Sequence, residues 1–213
     1  MNYKELPENT TKKSNTMKKF IPLIVIGLLI FLFASWGIGV NNTLVQERGT
    51  ARAQWANVES SYQRRADLIP NLVATVKGYA NHEKETLEAV IKARAEATKP
   101  EINIGKDAIT PENMAQFEKA QQGLSSSLSR LLVSVERYPE LKADQSFLEL
   151  QSQLEGTENR INVERNRFNN LAGKYNITIE QIPTNIIAGF RNFNPIALFK
   201  SAPGSENAPK VEF

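Results

Sequence analysis

The chain has no cysteine and a single histidine among its 213 residues. The first absence excludes disulfides, thiolate chemistry and lipoprotein attachment, while leaving the redox compartment open. The second makes histidine-based metal chemistry hard to build. A zinc site of the HExxH type needs a second His four residues after His82, where the chain has Thr86. A carboxylate-bridged di-iron bundle needs Glu three residues before His82, where the chain has Tyr79. No nucleophile elbow is present either. His82, beside Glu83 and Glu85, therefore reads as a solvated or locally hydrogen-bonded residue. No cofactor is expected, and the chain is expected not to be an enzyme.

An excess of charge is also missing from most of the sequence. The whole chain has 26 Lys+Arg against 23 Asp+Glu, but residues 1–19 hold five Lys and two Glu, leaving 21 of each sign. The alkaline balance belongs to the leader, so nucleic acid is not an expected partner.

There is one long apolar run, residues 20–40, FIPLIVIGLLIFLFASWGIGV. At helical rise it spans about 30 Å, the thickness of a bilayer's hydrocarbon core. Lys12, Lys13, Lys18 and Lys19 precede it, whereas Arg48 and Arg52 follow it offset by Glu47 and Glu59. This asymmetry predicts a cytoplasmic N-terminus and an exported domain, single-pass in a cytoplasmic membrane. A removed signal peptide is the competing reading, with FASWGIGVNNT a poor cleavage site. The expected organisation is a basic leader (1–19), a transmembrane helix (20–40), a domain (43–199) and a flexible tail (200–213).

Beyond the run, strand signals are weak and helical periodicity dominates. Trp55, Tyr62, Ile69 and Val76 fall seven apart with Val58, Leu72 and Tyr79 interleaved, and the pattern continues through Leu87, Val90 and Arg94. Pro70 inside it predicts a kink or a boundary between collinear helices. A loop over 98–110 leads to Thr110-Pro111-Glu112, a helix start by cap, proline and acid. Met114, Phe117, Gln121, Leu124, Leu128, Leu131, Val135 and Tyr138 form the second seam, stopping at Tyr138-Pro139, with Asp144 a cap for the next helix. That third segment, 145–180, repeats Phe147, Leu154, Ile161, Phe168 and Tyr175, with polar Gln151, Glu158 and Arg165 between them. Tyr175-Asn176 and Pro183 are expected to close it. IIAGFRNFNPIALF then folds back over one end or adds a short helix. The expected fold is all-α: an elongated antiparallel bundle of three long helices plus a short C-terminal helix or turn, behind the membrane anchor.

Arg64, Arg65, Asp67, His82, Glu83, Glu158 and Arg160 are the polar candidates for a buried layer or for binding a partner. Arg64 can meet Asp67 across one turn. Arg65 falls on the seam and needs a carboxylate if it points inward. Glu158 is a suitable partner, yet three helices joined by short turns put it nearer the level of His82. It either pairs with Arg65 through an offset or joins Asn81 and His82 in a polar layer. Glu158-Asn159-Arg160 spans two helix faces, so Glu158 and Arg160 cannot converge on one substrate.

YQRRADLIPNLVATVKGYANHEKETLEAVIKARAEA (62–97) and RYPELKADQSFLELQSQLEGTENRINVERNRFNNLAGKYN (137–176) resemble the signature stretches of the LemA family, and QIPTNIIAGF (181–190) resembles its closing motif. The leader is longer than the family's, and GFRNFNPIALF is a looser form of its final aromatic motif. The resemblance implies a bacterial membrane protein with a helical-bundle domain. It implies roles rather than chemistry: some relatives are associated with internal membrane compartments, others with envelope quality control. The functional expectation is a noncatalytic scaffold or adaptor, partnered by the bilayer and by copies of itself or other envelope proteins. The alternative is a sensor or regulatory subunit of a membrane protease or signalling system.

Overall fold

The computed structural model describes residues 14–79, 83–99 and 109–200. Among them are six helices and no strand: α1 (Ser14–Tyr79), α2 (Lys84–Ala97), α3 (Pro111–Val135), α4 (Pro139–Lys142), α5 (Gln145–Glu180) and α6 (Thr184–Phe190). The all-α expectation holds. The chain divides into two units, Met1–Thr43 and Leu44–Phe213. In the first, every residue from Phe20 to Ser35 is exposed. Such a helix satisfies its own backbone and offers lipid an unbroken apolar surface. Among the described residues, α1 is the one helix with a stretch long and apolar enough to cross a membrane.

The second unit is a bundle whose helices start where local chemistry says they should. Thr110 Oγ1 accepts from the Asn113 N–H at 3.3 Å with Pro111 in the first turn. The Asp144 carboxylate accepts from the Phe147 N–H at 2.9 Å, capping α5. Between them α3 ends at Val135, and Tyr138-Pro139 opens the single turn of α4.

The first soluble segment departs from expectation. Pro70 does not divide the helix: α1 continues to Tyr79. A proline at 70 cannot bond the carbonyl four residues back, which belongs to the buried Ala66. Arg94 supplies the missing donor, its Nε lying 2.7 Å from the Ala66 oxygen. That contact also shows that the periodicity from Trp55 to Arg94 belongs to two helices. α2 turns back along α1, setting Arg94 beside Ala66. A seam pattern records which face is buried and carries no information about chain direction.

The bundle is consequently up-down-up-down. α5 runs antiparallel to α1, as successive bonds show: Tyr79 Oη to Asp144 at 2.9 Å, Arg65 to Glu158 at 2.9 Å, Gln54 to Glu164 at 2.6 Å and Lys174 to Glu47 at 3.1 Å. α3 runs with α1, placing Phe117 against Tyr62, Gln121 beside Arg65 and Arg137 beside Glu83.

Two cores result. One is mainly aliphatic: Ile69, Leu72 and Val76 cluster with Leu87 and Val90 of α2, Leu124, Leu128 and Leu131 of α3, and Phe147 and Leu154 of α5. The other is aromatic. Trp55 stacks on Phe199 at 5.6 Å and meets Phe117 and Phe168 edge-on, each at 5.2 Å.

Phe199 reaches that core on an extended strap after α6. Asn176 bonds both the N–H and the carbonyl of Ile196 at 2.8 Å, and Asn169 does the same for Phe199 at 2.9 and 3.0 Å. The match is geometric: two helical turns and three extended residues both advance about 10 Å. Asn176 was expected to help close α5. Instead it lies inside α5, which continues to Glu180, and it clamps the strap.

Candidate functional site

Arg65 occupies the boundary between the two cores, its side chain 4% exposed. Its position follows from the α1 seam, since it lies seven residues after Val58 and seven before Leu72. The guanidinium Nη1 donates to Ser125 Oγ at 2.8 Å and to Glu158 Oε2 at 2.9 Å. Nη2 donates to Gln121 Oε1 at 2.7 Å and to the Gln121 carbonyl at 3.3 Å. The Gln121 amide in turn donates to the Ala97 carbonyl at 3.2 Å, the last of α2. One buried cation thus ties α1, α3 and α5 directly and α2 by relay. Its remaining nitrogen, Nε, is buried without a hydrogen-bond partner. Below it, the Tyr62 ring centroid is 5.1 Å from the Arg65 guanidinium carbon. Burial pushes the Tyr62 phenol above its ordinary pKa, with the Arg165 and Arg65 cations opposing.

The level argument that separated Glu158 from Arg65 is overturned, because α2 returns along α1 and lets α3 start far down the bundle. Glu158 itself remains half exposed. Arg64 and Asp67 are both exposed, and Asp67 accepts from Gln63 Nε2 at 2.7 Å in place of Arg64. Arg160 is exposed, on a different face from Glu158's contact. His82 and Asn81 lie outside the described residues. Glu83 is buried and binds α3's end, accepting from Arg137 Nη2 at 2.7 Å and Tyr138 Oη at 3.2 Å. Tyr175 is core, its hydroxyl donating to the Asn194 carbonyl at 3.0 Å. Pro183 sits at the entry to α6.

Sequence reasoning missed several polar residues. On α5 the buried polar positions between the heptad members are Thr157 and Glu164, whereas Glu158 and Arg165 lie at the margin. Glu164 accepts from Gln54 Nε2 at 2.6 Å and pairs with Arg167 at 3.4 Å. Positions three and four residues along both flank a helical stripe, so spacing alone does not choose between them. Arg165 instead covers the strap, 4.4 Å over the Phe199 ring and 3.4 Å from Glu118.

On the outer side of α2 and α3 an open groove of about 570 Å³ is floored by small residues, Ala89, Ala93, Ala120, Gly123 and Ser127. Lys92, Lys119 and Arg130 rim it, with Glu96 the one acid. A Cβ built on Gly123 would meet nothing within 4 Å. The groove offers shape and positive charge. Among the described residues, no group of three or more His, Cys, Asp or Glu is placed to hold a metal ion.

The chain is similar in sequence to known proteins. Protein LemA of Metamycoplasma hominis is 24% identical over 202 residues, covering 94% of this chain and 88% of that protein. Magnetosome protein MamQ 2 of Paramagnetospirillum magneticum is 26% identical over 204 residues, covering 86% of this chain and 74% of its own. Magnetosome protein MamQ of Magnetospirillum gryphiswaldense is 24% identical over 184 residues, covering 78% and 66%. The LemA family pattern itself matches residues 54–213, a stretch that includes the arginine layer, the groove and the strap. This chain belongs to the LemA family.

Proposed function

We propose that this protein is a noncatalytic scaffold or adaptor, anchored in a membrane by the apolar run of α1, whose bundle docks helices of its own copies or of other envelope proteins. The observation that carries the reading is the groove between α2 and α3. Small residues let a neighbouring helix approach closely, and an amphipathic helix with acidic flanks would match the basic rim. The buried charges serve the bundle itself, since Arg65 and Glu164 bond to residues of neighbouring helices. Two relatives are magnetosome proteins by name, which supports a role within a larger assembly. An N-terminus in the cytoplasm and a bundle on the exported side remain part of this proposal, resting on the basic leader.

The test uses the absence of native cysteine. Lys92→Cys at the groove rim and Gln153→Cys on exposed α5 are crosslinked in cells and the adducts identified. Adducts from position 92 at multiples of the chain's own mass support self-assembly; a discrete foreign adduct supports an adaptor and names its partner. Equal or absent yields at the two positions count against the groove.

A second reading, a regulatory subunit of a membrane protease or signalling system, is favoured by one feature. Glu158 is half exposed while its Arg65 partner is buried, so an event at the surface can release a buried cation. This reading requires a stoichiometric non-self partner whose binding changes in Glu158→Ala while the bundle stays folded.

A further inference from the structure

The bundle's two most exposed large apolar side chains, Ile182 and Phe190, lie at one corner. Ile182 is 84% exposed, Ile186 60% and Phe190 85%, and Ile177 at the end of α5 adds to them. Ile182, Ile186 and Phe190 recur every fourth residue, through the entry to α6 and along it, while Ala188 faces inward and is buried. Chain packing at this corner has therefore been satisfied from the other side, and the stripe is left over.

Its place in the unit says what covers it. α5 is antiparallel to α1, and Lys174 bonds Glu47, so the last turns of α5 and α6 lie at the end that Leu44 opens. The apolar run ends at Val40. Glu47 is the seventh residue after Val40, and no chain of that length reaches beyond about 25 Å. The charge at this end suits a surface of phosphate headgroups: Arg48 and Arg52 line a cleft with Thr110 and Asn194, and Arg191 is exposed beside Phe190. Among the described residues, the acids at this end are Glu47, which pairs with Lys174, and the exposed Glu112 and Glu180.

We propose that the corner made by the end of α5 and by α6, with Ile182, Ile186 and Phe190 as its apolar stripe, docks into the interface of the same bilayer that the apolar run crosses. The inference rests on that run being a membrane anchor. An apolar stripe with flanking arginines lies in the headgroup region, apolar side chains down and cations among phosphates. The anchor then fixes the chain to the membrane, and the corner gives the bundle a second attachment to lipid.

The full-length protein is reconstituted into phosphatidylethanolamine–phosphatidylglycerol vesicles containing lipid with a nitroxide near the headgroup or, in a parallel set, on the acyl chain. An environment-sensitive fluorophore is placed on Gly189→Cys, where a side chain meets open space, on Gln153→Cys as an exposed reference, or on Gly27→Cys inside the apolar run. Quenching at 189 is expected to exceed that at 153 by roughly threefold or more for a side chain seated at the interface. Combined Ile182→Ser, Ile186→Ser and Phe190→Ser substitutions should remove the difference with helical circular dichroism unchanged, because these side chains lie outside the core. Equal quenching at 189 and 153, with position 27 quenched by chain-attached nitroxide, overturns the proposal and leaves the anchor standing. No quenching at 27 overturns the anchor itself. Copy-to-copy crosslinking through 189 without lipid quenching assigns the corner to a second copy and also overturns the proposal.

Discussion

Arg65 shows how one residue links packing to specificity. Replacing it removes a cation whose bonds satisfy Gln121 and Ser125 inside the bundle. Arg65→Ala is expected to destabilise the bundle by about 3 kcal/mol, since it leaves buried polar groups without partners. Glu158→Gln should cost less than about 1 kcal/mol, because that carboxylate is half exposed and screened by water. Urea titration in detergent checks both, and equal losses would refute the asymmetry. Asp144 gives a pH signature. Its pKa lies below the ordinary 3.8, held down first by the Phe147 N–H and then by the Tyr79 hydroxyl. A depressed carboxylate contributes stability above its unfolded pKa and loses it as pH falls through the folded one. The Phe147 amide resonance should therefore titrate below pH 3.8, and Asp144→Asn should remove that step. At this scale the sequence was informative about need but silent about supply. Arg65 on a seam demanded a partner, yet its level relative to Glu158 depends on the return of α2 along α1.

Among the elements, α1 and α2 are joined by an exchange of donors. Pro70 leaves the Ala66 carbonyl unbonded within its own helix, and Arg94 crosses from α2 to take it. Arg94→Ala should then cost about 1–3 kcal/mol, the penalty of an unsatisfied buried carbonyl. In a Pro70→Ala background the new amide can bond Ala66, so the same Arg94 substitution should cost clearly less. A double-mutant cycle measures the coupling; additive losses would refute it. The ends of α3 and α5 were legible because a cap is a local device: Thr110 and Asp144 each satisfy an amide three residues on. The α1–α2 hairpin was illegible because its two arms share one continuous periodicity. The Asn169 and Asn176 clamps were illegible because a lone asparagine on a helix carries no sign that an extended segment lies beside it.

Over the bundle as a whole, the strap is a keystone. Phe199 touches rings from α1, α3 and α5, and its backbone hangs on Asn169. Asn169→Ala with Asn176→Ala should release residues 193–200, exposing amides of Ile196 and Phe199 to solvent exchange while the aliphatic core around Leu72 and Leu131 stays protected. Hydrogen exchange resolves the two regions, and uniform loss of protection would show instead that the cores are one cooperative unit. What the sequence by itself determined here is everything set by neighbours along the chain: the apolar run, the seams of α3 and α5, the caps, and the LemA resemblance. What only the tertiary structure decided is everything set by neighbours across space. The return of α2, the partner of Arg65, the burial of Glu164 and the seating of the strap each depend on which faces meet. Periodicity tells a helix which side to bury and leaves open what it is buried against.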